Sequence, residues 1–567
     1  MLMVVLLLFC QAMCELALPA YMSDIINNGI VPMDMAYIYK TGIIMVALAF
    51  ACSAFAVAGG FFASRTAAGA SRDIRRALFA KVTDFSSAEL DSFSTASLIT
   101  RATNDVQQIQ QAAVLTLRMA IFAPIMGIGA LVRALATSPS LTWTIGLALI
   151  VIICIMVFMF FAVMPKFKIL QSKLDRLNQV IAERLSGLLV VRAFNSEQAE
   201  EDRFDETNLE LKKINIFVNR CMAFLFPSMT IVMNLVNILI VWVGAHMVES
   251  QNLLIGDMLA FLQYAMHVII SFLFVTMMFI MIPRAAVSGN RIGEVLDIRT
   301  TIRDAEDAAA PDPDKVRGEI VFDGVSFAYP DAEEKTLDDI TFTAAPGTTT
   351  AIIGGTGSGK SSLISLIPRL FDVTEGSISL DGQDIRTMPQ KSLRAAVGYV
   401  PQKGLLFTGT IADNLRYGKR DASEEELEQA AETAQALSFI RELPEGFDTP
   451  VAQGGTSVSG GQKQRLSIAR ALIKDPQVLI FDDSFSALDF KTDAALRKAL
   501  KESASDKTLI IVAQRINTIM DADQILVMED GKIVGRGTHR ELLADCSVYQ
   551  EIAMSQLSEE ELGKGVA

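Results

Sequence analysis

Six apolar runs, each about as long as a membrane-crossing helix, dominate the first half of the chain. They cover residues 1–22, 40–64, 113–136, 140–163, 222–247 and 255–283. A helix needs roughly 20 apolar residues to cross hydrocarbon about 30 Å thick. Backbone groups find no water there, so a helix that satisfies its own donors and acceptors is the favoured solution. Buried helices of one large soluble core are the competing reading, but apolar runs this long are rare in such cores. The first run has no basic flank and no small-residue cleavage site, and Glu15 interrupts it. It therefore does not read as a signal peptide. At 567 residues, 51% of them apolar, the chain is also too long for one compact domain.

Basic residues orient these runs. The segment 65–112 carries Arg65, Arg72, Arg75, Arg76, Lys81 and Arg101. The segment 164–221 carries Lys166, Lys168, Lys173, Arg176, Arg184, Arg192, Arg203, Lys212, Lys213 and Arg220. The connections 23–39, 137–139 and 248–254 hold no Lys or Arg. Cytoplasmic loops carry the basic excess, so both long segments and both termini belong in the cytosol. Leu174, Leu177, Ile181 and Leu185 recur at helical spacing, which predicts helices running on past the membrane. The net charge of −14 sits elsewhere: residues 1–310 sum to −1 and residues 311–567 to −13. Phosphate neutralisation needs clustered Lys and Arg, so nucleic acid is disfavoured as a partner. Cys10, Cys14, Cys52, Cys154, Cys221 and Cys546 form no paired framework, and neither a disulfide nor a metal site is expected of them.

The stretch 304–314, ending Ala-Ala-Ala-Pro-Asp-Pro-Asp, reads as a linker between a membrane domain at 1–303 and a soluble domain at 315–557. A tail at 558–567 follows. In the soluble domain short β-branched runs alternate with amphipathic helices, an α/β pattern. Gly354-Gly355-Thr356-Gly357-Ser358-Gly359-Lys360-Ser361 fits the P-loop pattern, with a strand expected at Thr349–Ile353 and a helix at Ser362–Leu370. Glycines let backbone N–H groups close around phosphates, Lys360 reaches the β and γ oxygens, and the Ser361 hydroxyl ligates Mg²⁺. A second buried strand, Val478–Phe481, ends in Asp482, where a carboxylate holds Mg²⁺. A third, Leu509–Ala513, ends at Gln514.

With these residues in view, the chain resembles ATP-binding-cassette exporters over essentially its whole length. Ser459-Gly460-Gly461-Gln462 resembles the family's signature loop, with Val458 where Leu is usual. Gln402, in Tyr-Val-Pro-Gln, is similar to the Q-loop; Ser486-Ala487-Leu488-Asp489 is similar to the D-loop; Phe407–Ile411 looks like the exporter segment after the Q-loop. Tyr329 stands where the family's adenine-stacking aromatic stands. The resemblance implies an all-α six-helix transmembrane domain followed by an α/β nucleotide-binding domain, with ATP and Mg²⁺ as cofactors. It places Gly354–Ser362, Tyr329, Gln402, Ser459–Gln462, Asp482 and Asp489 at the nucleotide. Ser361, Gln402 and Asp482 are implied at the metal, and Lys360, Gln402, Asp483 and Gln514 at the chemistry. The membrane half is similar to bacterial multidrug exporters with domain-swapped helices. Ser94–Arg101 and Val191–Asn195 look like the loops that carry coupling helices. A small, hydrophobic or drug-like compound is the implied cargo, across a cytoplasmic membrane whose lipid surrounds the helices. Members usually begin with a basic amphipathic helix, so the expectation is a true start upstream of Met1.

Two residues depart from the family pattern. The residue after Asp482 is Asp483, where the family has a Glu acting as general base, and a misplacement of roughly 1 Å can cost about 100-fold in rate. Where the family has a His at the γ-phosphate, this chain has Gln514, which cannot carry positive charge. Its histidines, His246, His267 and His539, lie elsewhere. Family cassettes pair head to tail, each site joining one P-loop to the partner's signature loop. The resemblance therefore implies a second, different half-transporter that retains the Glu and the His. A slow homodimer and a regulatory ATP-sensing subunit remain as alternatives.

Polar residues also fall in or at the ends of the apolar runs: Glu15, Arg118, Arg133, Asn234, Asn237, Gln263, His246 and His267. Such residues usually face the protein interior or a water-filled cavity, but structural pairing or snorkelling is an equal reading, and none is assigned to a substrate. The Met- and Phe-rich sixth run, with Met277, Met278, Phe279 and Met281, reads as lipid-facing packing.

The orientation is testable in a background without the native cysteines. Cysteines introduced at Met33 and Gln251 should react with an impermeant reagent outside intact cells, and one at Gln198 should not. Labelling at position 198 would reverse the topology.

Overall fold

The computed structural model describes residues 2–312, 315–330 and 332–557. The expected tail at 558–567, the linker positions Pro313 and Asp314, and the side chains of Lys168, Met277, Phe279 and Met281 lie outside the described residues. The chain forms two compact units, one made of Met1–Lys81 with Thr95–Asp297, the other of Val82–Ser94 with Ile298–Ala567.

In the first unit the long helices are α1 (Leu2–Ile25), α2 (Met35–Thr83), α3 (Val106–Thr137), α4 (Thr142–Ser186), α5 (Glu197–Glu249) and α6 (Ile255–Asp297). Among the described residues six helical stretches are long and apolar enough to cross a membrane. Helices α2, α4 and α5 contain 49, 45 and 53 residues. At about 1.5 Å per residue they run more than twice the ~30 Å of a bilayer core, so the basic segments are continuations of the spanning helices. Small residues let these helices close on one another. Ala12, Ala130 and Ala134 are fully buried, and a Cβ at Gly129 would lie 2.4 Å from the Leu16 side chain.

Polar ties hold the helix ends. Ser23 Oγ donates to Asp257 Oδ1 at 2.5 Å, and the Gly256 amide donates to Asn27 Oδ1 at 2.9 Å, tying α1 and its π turn Ile26–Ile30 to the start of α6. At the other end of α6, the Arg101 guanidinium pairs with Glu294 at 3.0 Å, and Ser288 Oγ donates to Asp105 Oδ1 at 2.9 Å. The segment Ser94–Arg101, expected as a loop that carries a coupling helix, contains the short helix Thr95–Thr100, which leads through a π turn, Arg101–Asp105, into α3. Val191–Asn195 lies partly in a short helix, Leu188–Ala193.

The second unit contains β1 (Ile320–Phe327), β2 (Leu337–Ala344), β3 (Thr349–Gly354), β4 (Glu375–Leu380), β5 (Gln383–Asp384), β6 (Val397–Val400), β7 (Gly409–Thr410), β8 (Pro450–Val451), β9 (Val478–Asp482), β10 (Thr508–Val512), β11 (Gln524–Glu529) and β12 (Lys532–Gly537). Six of them form a sheet in the order β12-β11-β3-β10-β9-β6, parallel except for β12. A four-stranded antiparallel sheet, β2-β1-β4-β5, lies in the same unit. Strands β9 and β10 are buried along their whole length, as inner strands of a parallel sheet covered on both faces are.

The first unit ends at Asp297, six residues before the expected boundary at 303. Much of the expected linker is hydrogen-bonded to the ATPase unit: Asp304 Oδ1 accepts from the Gln390 amide at 3.0 Å, and the Ala309 amide donates to the Thr387 carbonyl at 3.0 Å. The short segment Val82–Ser94 belongs to this unit through Glu89. One Glu89 oxygen accepts from the Ser86 amide and hydroxyl, and the other from the Thr301 amide at 2.9 Å and hydroxyl at 2.8 Å. Burial raises the Glu89 carboxyl, but the Ser86 and Thr301 bonds outweigh it and leave it below its ordinary value.

A carboxyl depressed in the folded state stabilises above its unfolded pKa, and that contribution is lost as pH falls through the lower folded value. Glu89→Ala should therefore lower the thermal midpoint at neutral pH, by about 2 kcal/mol of stability, and make 82–94 sensitive to protease. The difference from the parent should shrink below about pH 4. An equal midpoint at neutral pH would show that Glu89 does not secure this segment.

Candidate functional site

The carboxyl ends of β3, β9 and β10 build the site, as expected for ligands in open α/β sheets. β3 runs into the loop Gly354–Gly359, and helix α7 (Lys360–Leu366) begins directly after it. This helix starts two residues earlier and ends four earlier than the sequence expectation. Two glycines are required sterically. A Cβ at Gly354 would lie 2.1 Å from the Met528 carbonyl oxygen, and Gly359 has φ +94°. The Lys360 ammonium donates to the carbonyls of Gly354 (3.0 Å) and Gly355 (2.6 Å) and to Ser358 Oγ (3.2 Å). Burial lowers its pKa, while Asp483 and Asp482 oppose that shift.

Ser361 Oγ donates to Asp482 Oδ1 at 3.0 Å. Burial raises the Asp482 carboxyl, and Asp483 adds to the rise. The Ser361 hydroxyl, the Asp482 carboxylate and the Gln402 carboxamide are all hard oxygen donors. That set suits Mg²⁺, which takes few protein ligands and completes its shell with water and phosphate oxygens.

Asp483 is the centre of the site. It has φ +46°, a left-handed conformation that Asp tolerates better than most residues. Its amide donates to the Val512 carbonyl at 2.9 Å. Its Oδ2 accepts from two carboxamides, Gln514 Nε2 at 2.8 Å and Gln402 Nε2 at 3.2 Å. Burial raises the Asp483 carboxyl, against the pull of Gln402 and Ser486. Thus Lys360, Ser361, Gln402, Asp482, Asp483 and Gln514, distant in sequence, meet within one shell.

The other expected residues lie apart from this shell or at its edge. The Tyr329 hydroxyl is 2.9 Å from Ser362 Oγ in the first turn of α7, and its ring packs edge-on against Phe327 and Phe371. Ser459 caps helix α8 (Gly460–Leu472): its Oγ accepts from the Gln462 amide at 3.3 Å, and Gln462 Oε1 accepts from the Ser459 amide at 2.9 Å. Gly461 lies against the Ala487 carbonyl. Asp489 caps its own helix, Phe490–Ser503, through the Thr492 amide at 2.9 Å. Its carboxylate is therefore turned to backbone rather than to the P-loop.

Several residues of the site carried no readable signal. Tyr399 hydrogen-bonds Asp482, and its phenol is raised far above the ordinary value, first by burial and then by that carboxylate. Gln464, 3% exposed, joins α8 to the Q-loop through the Gly404 amide (3.1 Å) and the Pro401 carbonyl (3.3 Å). Tyr399 stands in the Tyr-Val-Pro-Gln stretch and Gln464 just after the signature loop, but their contacts form only once strand and helix are in place.

Comparison with known proteins agrees with this geometry. The ABC transporter transmembrane region model matches residues 1–272, and the ABC transporter model matches residues 337–486. The chain is 39% identical, over 98% of its length and 95% of the relative's, to an uncharacterized ABC transporter ATP-binding protein of Mycobacterium tuberculosis. It is 37% identical to the uncharacterized ABC transporter ATP-binding protein YfiB of Bacillus subtilis, over 98% and 96% of the two lengths. It is 34% identical to the human mitochondrial potassium channel ATP-binding subunit, over 85% of this chain and 66% of that one. A solved structure of a bacterial Atm1-family ABC exporter with ATP bound superposes with a TM-score of 0.81 at 27% identity, covering 98% of both chains. With six candidate membrane helices, a P-loop cassette and these relatives, the chain belongs to the ABC transporters, as a multi-pass exporter half-transporter whose ATPase domain lies in the cytosol.

Proposed function

We propose that this chain is the degenerate-site subunit of a heterodimeric exporter, and that its own P-loop holds ATP and Mg²⁺ with slow hydrolysis. Asp483 carries this reading: the carboxylate where a general base would stand is short and accepts hydrogen bonds from two neutral carboxamides. Those bonds turn its Oδ2 toward the two carboxamides, and the Gln402 bond pulls only against the net rise that burial gives the carboxyl. Gln514 offers an amide dipole where a cation could form.

The residues for binding remain. Lys360 and the α7 N-terminus place positive charge at the phosphates, Tyr329 offers an aromatic face to the base, and Ser361, Gln402 and Asp482 would hold the metal. Mg²⁺, when bound, supplies charge neutralisation between the β- and γ-phosphates. The signature helix is intact and would serve the partner's P-loop, so the partner is expected to carry Glu after its Walker B Asp and a switch His. The proposed units are a membrane domain at 1–303, a linker at 304–314 and a cassette at 315–557. The cargo class is a small, hydrophobic or drug-like compound.

Two changes made only in this chain separate heterodimer from homodimer. Asp483→Ala should barely alter steady-state ATPase of the purified assembly. Ser459→Ala with Gly460→Glu places a negative charge beside the partner's γ-phosphate, where losing a donor costs about 10²–10³ in rate, and should nearly abolish turnover. Equal damage from both would overturn the degenerate-site reading.

The similarity to proteins named mitochondrial potassium channel ATP-binding subunits favours a second reading, in which the cassette senses ATP for a channel. In proteoliposomes the exporter reading expects ATP-dependent accumulation of a dye-like substrate and no ATP-gated potassium flux. Flux without accumulation would establish the second reading.

A further inference from the structure

The segment that carries Gln514 leaves an amide without a local partner. Arg515 is the N-cap of the short helix Ile516–Ile519 and makes no side-chain capping bond, because a guanidinium offers donors only. First-turn amides of a helix need an outside acceptor, and here it comes from 40 residues downstream. Gln556 Oε1 accepts from the Ile516 amide at 2.9 Å, and Gln556 Nε2 donates to the Gln514 carbonyl at 2.8 Å. One carboxamide thus grips the backbone on both sides of Arg515.

The grip sits on an anchored element. Gln556 ends the helix Ser547–Gln556. Tyr549 and Ala553 of that helix are fully buried, and the Tyr549 hydroxyl is 2.7 Å from His539 Nδ1. Opposite the grip, β10 stops at Val512 and the Ala513 amide donates to the Ile352 carbonyl at 3.1 Å, so Gln514 lies just beyond the sheet. Its side chain nevertheless reaches Asp483 at 2.8 Å.

We propose that Gln556 is a positioning residue for the ATP site. By clamping the Gln514 and Ile516 backbone it sets the direction in which the Gln514 side chain leaves β10, and it makes the C-terminal helix a brace whose docking is felt at the nucleotide. A residue that merely staples the C-terminus would raise stability and leave the nucleotide indifferent. The proposal uses only the family assignment of the ATP site and holds whether that site hydrolyses slowly or fast.

The test uses the full-length transporter with its partner and three variants of this chain: Gln556→Ala, Gln556→Glu, and Gln556→Ala combined with Gln514→Ala, each against its parent. Release of nucleotide labelled at the α-phosphate is followed, because that label stays with the nucleotide whether or not it is hydrolysed. Hydrogen exchange is read in the peptide spanning 512–520. Gln556→Ala should speed both exchange and release about five-fold, the scale of one lost hydrogen bond. Gln556→Glu keeps an acceptor for Ile516 and sets a carboxylate against the Gln514 carbonyl, so it should protect the Ile516 amide while still speeding release. In the Gln514→Ala background Gln556→Ala should add nothing to release, since residues acting through one another are not additive. Equal acceleration in both backgrounds would overturn the proposal. So would a lowered thermal midpoint with release unchanged.

Discussion

An unpaired backbone N–H or C=O costs several kcal/mol in hydrocarbon and far less where water can reach it. That difference divides this chain. Where the sequence is apolar for 20 or more residues, the helix meets its backbone needs within one segment, apart from the bonds lost at internal prolines such as Pro124 and Pro227. Nothing then stops it at the membrane surface, so α2, α4 and α5 continue for 49, 45 and 53 residues. In the cytosolic half the same requirement is met between strands. Strand ends are where ladder bonding runs out, and backbone and side chains there become free to meet a ligand.

The end of β9 is where that freedom is concentrated. Asp482 faces Ser361 and Asp483 faces Gln402 and Gln514, so adjacent carboxylates are kept apart by distinct donors. Both are raised by burial, and Lys360 is lowered by it while the two carboxylates oppose that shift. Each group's charge therefore depends on its neighbours. The αL turn at Asp483 directs two successive side chains to different partners. A left-handed residue costs on the order of 1–3 kcal/mol, and its amide bond to Val512 helps to hold it.

Much of this was legible in the sequence because the signals are local. All six apolar runs fall within the helices, apart from Met1, which lies outside the described residues, and residues 140–141, which form part of a 3-10 turn just before α4. The P-loop strand and its lysine are adjacent in sequence, so spacing alone describes them. Helices running past the membrane were legible from Leu174, Leu177, Ile181 and Leu185, but that spacing did not give their exact ends. The bounds of α7 differed because Lys360 and Ser361 already belong to its first turn. Glu89, Tyr399, Gln464 and Gln556 could not be read at all. Each is a polar residue whose distant partner, 40 to 212 residues away in sequence, is reached only through the fold of the chain. Asp489 illustrates the converse: its motif was plain, and its carboxylate caps a helix.

The two helix N-termini of the cassette lead one step further. The α7 N-terminus follows the P-loop and serves the phosphates of this chain's own nucleotide. The α8 N-terminus is similarly built, with Ser459 and Gln462 capping one another so that the first-turn amides stay aligned. A helix start is an anion site by construction, through its free amides and its dipole. Yet Ser459 and Gly460 are exposed, and beyond its chain neighbours and its own helix backbone nothing lies within 4 Å of a Cβ built at Gly460. The contacts of this segment run to Ala487 and within its own cap rather than to Lys360 or Ser361. One chain therefore carries two halves of a phosphate site that it does not join itself, which is the physical reason an ABC exporter works as a pair of cassettes.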